Sequence, residues 1–159
     1  MARTASAPIV EHVEREAREA RRALATLDDA AVEAGLNRAV ELLADRRDEI
    51  LAANELDVEA GTASLDEGAL DRLRLDDRRL EAIAAGLRAT AALAPLEREV
   101  RTWTLPNGLE VAERRIPVGV VGANFEARPN VAVDVASQVL KSGNAVVLRT
   151  GSAALGTVT

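Results

Sequence analysis

The sequence predicts an α/β fold: a helical amino-terminal portion, a β-hairpin, and the opening β-α-β of a parallel sheet. Three observations carry this. Apolar residues recur at steps of three and four through residues 9–91, the period of amphipathic helices. Asn107-Gly108 sits between two runs of strand-forming residues, a strong short-range hairpin signal. Two short apolar runs, 117–122 and 145–149, bounded by Pro, Gly and Asn, flank a helical stretch, as buried parallel strands do.

The first helix carries the stripe Ile9, Val13, Ala17, Ala20, Leu24 and Leu27, with Glu and Arg on its other face. That face reads as solvated. Asp28 or Asp29 is placed to cap a second helix, whose stripe is Leu36, Val40 and Leu43. Ile50 and Leu51 extend the apolar signal, so 48–60 is the same helix or a kinked continuation. Gly61 ends it. Ser64 to Glu67 fits a capping box for a short helix through Leu73. Asp76 or Asp77 caps the next, with the stripe Leu80, Ile83, Leu87 and Ala91, stopping near Pro95.

The period then changes. Residues 100–105 and 109–116 read as paired strands around Pro106-Asn-Gly108, the Asn and Gly both tolerating positive φ. Trp103 is expected to pack on this hairpin and supply buried area. Residues 117–122 suit a strand buried on both faces. Pro129 suits the first turn of a helix, with Val131, Val135 and Val139 on one face. Lys141-Ser-Gly-Asn144 ends that helix, Gly143 and Asn144 suiting the turn into the second strand. The unit should cross over right-handed. Residues 151–159 begin another helix or fray. Two parallel strands make an unfinished sheet, with open edges and one face short of covering helices. The expectation is therefore a truncated, aggregation-prone chain.

Composition bounds the function. The chain has 159 residues, 48% hydrophobic and 29% charged, a globular balance. One Trp, one Phe and no Tyr exclude a stacking platform for single-stranded nucleic acid. A formal charge of −6 supplies no basic footprint for DNA or RNA. There is no cysteine, hence no disulfide, thiolate nucleophile or thiolate metal ligand within these residues. The one histidine, His12, lies in the charged first helix, so no metal site is expected. No apolar run approaches the roughly 18–20 residues that cross a bilayer, and the polar start has no hydrophobic signal core. No membrane partner is expected, and the cytoplasm is the default compartment.

Residues 115–131, Arg-Ile-Pro-Val-Gly-Val-Val-Gly-Ala-Asn-Phe-Glu-Ala-Arg-Pro-Asn-Val, continue through Asp134 to Lys141-Ser-Gly-Asn-Ala-Val-Val-Leu-Arg149. Earlier stretches accompany them: 50–54 with Asp57-Val58, Asp71-Arg-Leu73, Gly86-Leu-Arg88, and Trp103 with Pro106-Asn-Gly-Leu109. Together they resemble the γ-glutamyl phosphate reductases (glutamate-5-semialdehyde dehydrogenases) of the aldehyde dehydrogenase superfamily. The resemblance implies an aldehyde-dehydrogenase-like fold divided into three parts. Residues 1–97 are the helical part of the cofactor-binding domain. Residues 98–116 are a hairpin used in oligomerisation. Residues 117–159 are the first β-α-β of a Rossmann-like NADP-binding domain.

The implied reaction belongs to proline biosynthesis: L-glutamate 5-phosphate, NADPH and a proton give L-glutamate 5-semialdehyde, phosphate and NADP. In the family a cysteine thiolate attacks the acyl phosphate and hydride reduces the thioester. Thiolate is a good nucleophile near neutral pH. Family members run to more than twice this length, and their cysteine lies downstream. The expectation is that this chain stops short of it and is inactive alone. The complete enzyme is expected to be a homo-oligomer acting on a small molecule. Two rival readings are a related aldehyde-oxidising dehydrogenase, against which Glu-Ala-Arg-Pro-Asn speaks, and a non-catalytic binding or oligomerisation fragment.

Gly119-Val-Val-Gly122 is not the G-x-G-x-x-G dinucleotide fingerprint. The resemblance implies that the segment after this strand, residues 123–130, lines the cofactor and substrate cleft, and open α/β sheets do bind ligands at strand carboxyl ends. Arg128 can pair with a substrate carboxylate or phosphate. Asn130 can donate near a helix N-terminus, where anions are favoured. Glu126 falls where other aldehyde dehydrogenases place an oxyanion-binding Asn, but an ionised Glu cannot donate, so that role does not transfer. As plain surface residues, Glu126 and Arg128 would pair with each other. The resemblance sets Arg149 against the cofactor ribose, where arginine suits the 2′-phosphate of NADP; otherwise it is an exposed strand-end charge. Phe125, where the family has Tyr, packs beside the nicotinamide or fills the core. Thr150-Gly151-Ser152 stands where the family has Gly-Gly-Ser, and Ala153 where it has Glu. All three belong to the expected cofactor contacts.

Overall fold

The computed structural model describes residues 7–24 and 26–159; the polar start read over residues 1–6 lies outside them. Seven helices and four strands follow in order among the described residues. They are α1 (Ala7–Leu24), α2 (Asp29–Asp45), α3 (Arg47–Gly61), α4 (Glu67–Leu73), α5 (Asp77–Ala91), β1 (Glu99–Thr104), β2 (Glu110–Arg114), β3 (Val120–Phe125), α6 (Pro129–Lys141), β4 (Ala145–Thr150) and, after a 3₁₀ turn at Ser152–Ala154, α7 (Leu155–Val158). The helical portion, hairpin and β-α-β unit thus appear as the periodicity predicts. No described helix is long and apolar enough to cross a membrane.

Aspartates set the helix starts. Asp28, Asp66 and Asp76 each accept the backbone N–H three residues on, at 2.7 Å, satisfying a donor that has no partner inside the helix. The α4 cap is Asp66 and not the Ser64 of the expected capping box: α4 starts at Glu67, and the Ser64 hydroxyl turns back toward the Gly61 carbonyl. The break between α2 and α3 falls at Arg46. Gly61 is the last helical residue of α3, outside the left-handed region. It provides space: a Cβ there would lie 3.0 Å from a methyl of Leu65 and 3.4 Å from one of Leu70.

The α5 stripe is buried at Leu80, Ile83, Leu87 and Ala91. Leu36, Leu87 and Ala91 form one core, closed by Val32, Ala39, Val40, Leu43 and Val133 from α2 and α6. A second core joins Leu73, Ala127 and Ala154, with Val58 and Leu65 against it. Stripe residues at the start of α1, Ile9 and Val13, are exposed instead.

β3 and β4 pair in parallel, Val120 with Ala145 through Phe125 with Thr150. The first strand therefore starts later than the 117–122 run, and Val118 is exposed. β3 alternates: Gly122 and Asn124 are exposed, Ala123 and Phe125 half-buried, so it is not enclosed on both faces as expected. In β4, Val146, Val147 and Leu148 are all half-buried. Both α1 and α6 lie against this pair, so α1 adds cover that the expectation of a bare face omitted. Gly143 ends α6 with φ +79°, and the buried Asn144 accepts the Gly119 N–H at 2.8 Å.

The hairpin pairs in register from Glu99–Arg114 to Thr104–Glu110, with a bulge between Glu99 and Arg101. Only Gly108 takes a positive φ, +87°. The Asn107 side chain instead accepts the Leu109 N–H at 3.1 Å. Trp103 packs on the hairpin, but as a platform for Arg101, whose guanidinium lies 4.6 Å from the ring centroid. With every β1 residue exposed, Trp103 remains 38% accessible and does not supply the buried area expected of it.

Candidate functional site

The segment after β3 divides the expected site into two places. Ala127 is the hinge, with φ +46°, the one described non-glycine residue at positive φ. Such a conformation is uncommon for Ala and persists where surroundings over-determine it. Here the methyl is buried against Leu73 and Ala154. Glu126 stays on the strand-end side, its Cγ 3.1 Å from where a Cβ of Gly151 would be. Arg128 and Asn130 turn the other way, over the start of α6.

At the strand ends, Phe125 and Thr150 are register partners. The Gly151 N–H donates to the Phe125 carbonyl at 2.9 Å. Arg149 is exposed and donates through Nη1 to Asn124 Oδ1 at 3.0 Å. Ser152 is exposed at the head of the 3₁₀ turn. Phe125, Glu126, Arg149, Thr150, Gly151 and Ser152 therefore share one end of the sheet. Glu126 and Arg128 form no ion pair with each other.

Arg128 and Asn130 open onto a cleft of about 510 Å³ between α4–α5 and α6. Its other polar walls are Asp71, Arg72, Arg74, Arg79 and Asp134, over a floor that includes Leu75 and Ile83. Asn130 Nδ2 donates to Asp134 Oδ2 at 3.1 Å. Arg79 pairs with Asp71 at 2.8 Å and donates to the Arg74 carbonyl at 2.7 Å.

The turn carrying Arg74 is fixed from behind by Asn54, which is 2% exposed. Its Nδ2 donates to the Leu73 carbonyl at 2.9 Å and its Oδ1 accepts the Leu75 N–H at 2.7 Å. The same Nδ2 reaches Thr157 Oγ1 at 3.1 Å. Thr157 in turn donates its N–H and hydroxyl to Asp57 at 2.7 and 2.6 Å. Residues 151–159 are thereby tied to α3.

Of the cleft residues the sequence pointed to Arg128 and Asn130, but not to Arg72, Arg74 or Arg79, nor to Asn54 behind them. Asp71-Arg-Leu73 and Asn54 stood among the stretches that carry the resemblance. The dense charge run 71–79 was the available signal, but only the fold turns part of it toward α6. No group of three or more His, Cys, Asp or Glu is placed to hold a metal ion among the described residues.

No family model matches the chain. It is 43% identical over 148 residues to a γ-glutamyl phosphate reductase of Caldanaerobacter subterraneus subsp. tengcongensis, covering 92% of this chain and 36% of that one. It is 49% identical over 125 residues to the enzyme of that name from Heliobacterium modesticaldum, covering 75% and 30%. The crystal structure of γ-glutamyl phosphate reductase from Thermotoga maritima superposes with a TM-score of 0.83 at 34% identity, over 91% of this chain and 35% of that one. The chain spans about a third of the length of the relatives it matches. In sequence and in backbone, these residues correspond to the amino-terminal portion of the γ-glutamyl phosphate reductases and share its aldehyde-dehydrogenase-like α/β fold.

Proposed function

We propose that the protein serves the NADPH-dependent reduction of L-glutamate 5-phosphate to L-glutamate 5-semialdehyde, with release of phosphate, as the amino-terminal part of that reductase in the cytoplasm. The observation that supports this most is the match over more than nine-tenths of the chain, in sequence and in backbone, to proteins named for that enzyme.

On this reading the ends of β3 and β4 hold the nucleotide. Arg149 has a neutral amide as its partner, so its positive charge is left for an anion such as the 2′-phosphate of NADP. Phe125 gives an apolar surface beside Thr150, and Gly151 lets the backbone pass close to Glu126. NADPH, when bound, supplies the hydride. Arg128 and Asn130 face the substrate from the head of α6, where backbone N–H groups favour an anion. These residues contain no cysteine, so the nucleophile implied by the resemblance comes from polypeptide outside them, and the chain alone is inactive. Residues 98–116 serve as the oligomerisation element, a reading supported by the exposure of β1 and of all but Val111 in β2.

The assay is phosphate-dependent reduction of NADP with L-glutamate 5-semialdehyde. The 159-residue chain shows no turnover. Fusing it to the cysteine-bearing remainder of the Caldanaerobacter relative restores activity, and simple aldehydes without phosphate remain poor substrates. Turnover by the chain alone, or a folded fusion that oxidises simple aldehydes and ignores phosphate, overturns the proposal. Size-exclusion mass of that fusion with and without Trp103→Glu tests the hairpin: an unchanged oligomer removes its assigned role.

A further inference from the structure

We infer that Asn124 sets the nucleotide preference: its amide oxygen positions the Arg149 guanidinium, and its amide nitrogen joins that guanidinium in holding the 2′-phosphate of an adenosine nucleotide. This deepens the nucleotide reading above, on which it rests and in which Asn124 has no role of its own.

Three of the described strand residues are arginines: Arg101, Arg114 and Arg149. Each bonds the side chain of its register partner. Arg101 bonds Glu113 at 2.6 Å, and Arg114 bonds Glu99 at 2.9 Å. Arg149 bonds Asn124 at 3.0 Å. The two hairpin arginines are thus neutralised by a carboxylate across the strand. Arg149 is oriented by an amide and keeps its charge, with no ion pair among the described residues. Asn124 and Arg149 are both exposed. Even a full ion pair adds little to stability at an exposed position, so what this weaker bond does is direct the guanidinium.

The amide also acquires a direction. A guanidinium has no acceptor, so the amide oxygen must face it and Nδ2 must point away. Nδ2 takes no acceptor among the described residues. Arg149 engages Asn124 through Nη1 alone, which leaves Nη2 and Nε for a bidentate contact with phosphate oxygens. Nδ2 beside them supplies a third donor. Gly122 lies two residues earlier on the same face of β3. A Cβ there would meet nothing within 4 Å, so the nucleoside that carries the phosphate has room. A carboxylate in place of the amide would accept from a free ribose hydroxyl, as acidic residues do in NAD sites, and would repel a phosphate. The amide reverses that choice.

The test is calorimetry and side-chain NMR on the 159-residue chain, with adenosine 2′,5′-bisphosphate and adenosine 5′-monophosphate as probes and no turnover. The bisphosphate binds more tightly by roughly tenfold, the value of one charge-assisted contact. It alone shifts the Asn124 amide and Arg149 guanidinium resonances. Asn124→Asp, nearly isosteric, abolishes the preference, because the new carboxylate neutralises Arg149 and repels the phosphate. Asn124→Ala lowers the preference only in part, because Arg149 keeps its charge and loses its direction. A preference unchanged by Asn124→Asp, an Asn124 amide that the bisphosphate leaves unmoved, or equal or absent binding of the two probes overturns the inference. The nucleotide reading fails separately. It is lost if the fusion enzyme binds NADP and NAD equally, and it stands if Arg149→Ala removes a preference that Asn124→Asp leaves intact.

Discussion

Asn54→Leu tests whether the fixed turn beneath the cleft depends on one buried amide. The substitution keeps a side chain of similar length and removes every polar atom. Two backbone groups lose their partner: the Leu73 carbonyl, on a residue with no exposed surface, and the Leu75 N–H, on a half-buried one. A buried polar group left unpaired costs about 1–3 kcal/mol. The Leu73 carbonyl belongs near the top of that range and the Leu75 N–H near the bottom, because water reaches it. Thr157 keeps its bond to Asp57 and adds little. The sum is about 4 kcal/mol, or roughly 2 M in the urea midpoint for a slope of about 2 kcal/mol per molar. Reversible urea unfolding followed by circular dichroism reads it. Asn54→Asp should cost at least as much, since it deletes the donor and sets a carboxylate against a carbonyl. A loss below about 0.5 kcal/mol for both variants, within the usual range of a plain surface change, would refute the argument.

Lys141 is buried and donates from Nζ to the Ala91 carbonyl at 2.9 Å, capping the end of α5; Lys141→Met should cost about 1–3 kcal/mol in the same unfolding assay. Gly143→Ala forces a Cβ into φ +79° and toward the Arg98 guanidinium; a loss of about 1–2 kcal/mol is expected, and Arg98→Ala should relieve part of it. The Thr102 hydroxyl, and then Arg114, hold the Glu99 carboxyl below the usual carboxylate range. A lowered folded-state pKa stabilises the hairpin above the ordinary Glu pKa, and that contribution is lost as pH falls through the folded value. Carbon-detected NMR titration should therefore place the Glu99 midpoint below that of the Thr102→Val variant. In the fusion enzyme, Arg149→Ala should raise KM for NADPH by about tenfold or more while leaving KM for NADH nearly unchanged. Equal effects on both nucleotides would sink the 2′-phosphate assignment.

What the sequence made legible was whatever depends on local pattern. Leu80, Ile83, Leu87 and Ala91 are spaced for one helical face, and that face is buried. Asp28 and Asp76 precede apolar-periodic runs and do cap them. The Ser64 assignment failed because Asp66 offers a carboxylate to the same helix start and competes better for the Ala69 N–H. Gly61 does end α3, but its use is steric and not conformational: it admits the side chains of Leu65 and Leu70. Trp103 misled because nothing in a lone aromatic says whether a second layer exists to cover it. The site divides in the same way. Residues 125–126 and 149–152 were pointed to by the family resemblance, and parallel pairing of β3 with β4 does gather them at one end of the sheet. Of the cleft, Arg128 and Asn130 were named, but its opposite wall was not, because that wall lies far away in sequence and meets them only through the packing of α5 on α6.

That packing also ties the cleft to the strand ends. Ala127 is held at φ +46° by contacts with Leu73 and Ala154. Leu73 is gripped by Asn54, and Asn54 also reaches Thr157 in the segment after β4. The turn that sends Glu126 toward the strand ends and Arg128 into the cleft is thus set by the same knot that places Arg74 and ties the terminal segment to α3. A change at Ala127 tests this coupling. Ala127→Gly relaxes the strain at positive φ, about 1 kcal/mol, but deletes a buried methyl worth about the same, so stability should move little. Position should move more. With the methyl gone, the hinge is no longer over-determined, and Arg128 loses its fixed exit angle. The expected result is near-unchanged urea stability together with weaker L-glutamate 5-phosphate binding in the fusion enzyme, read as a rise in KM with kcat largely kept. Unchanged KM would mean that the hinge positions nothing, and that the two halves of the site are neighbours without being coupled.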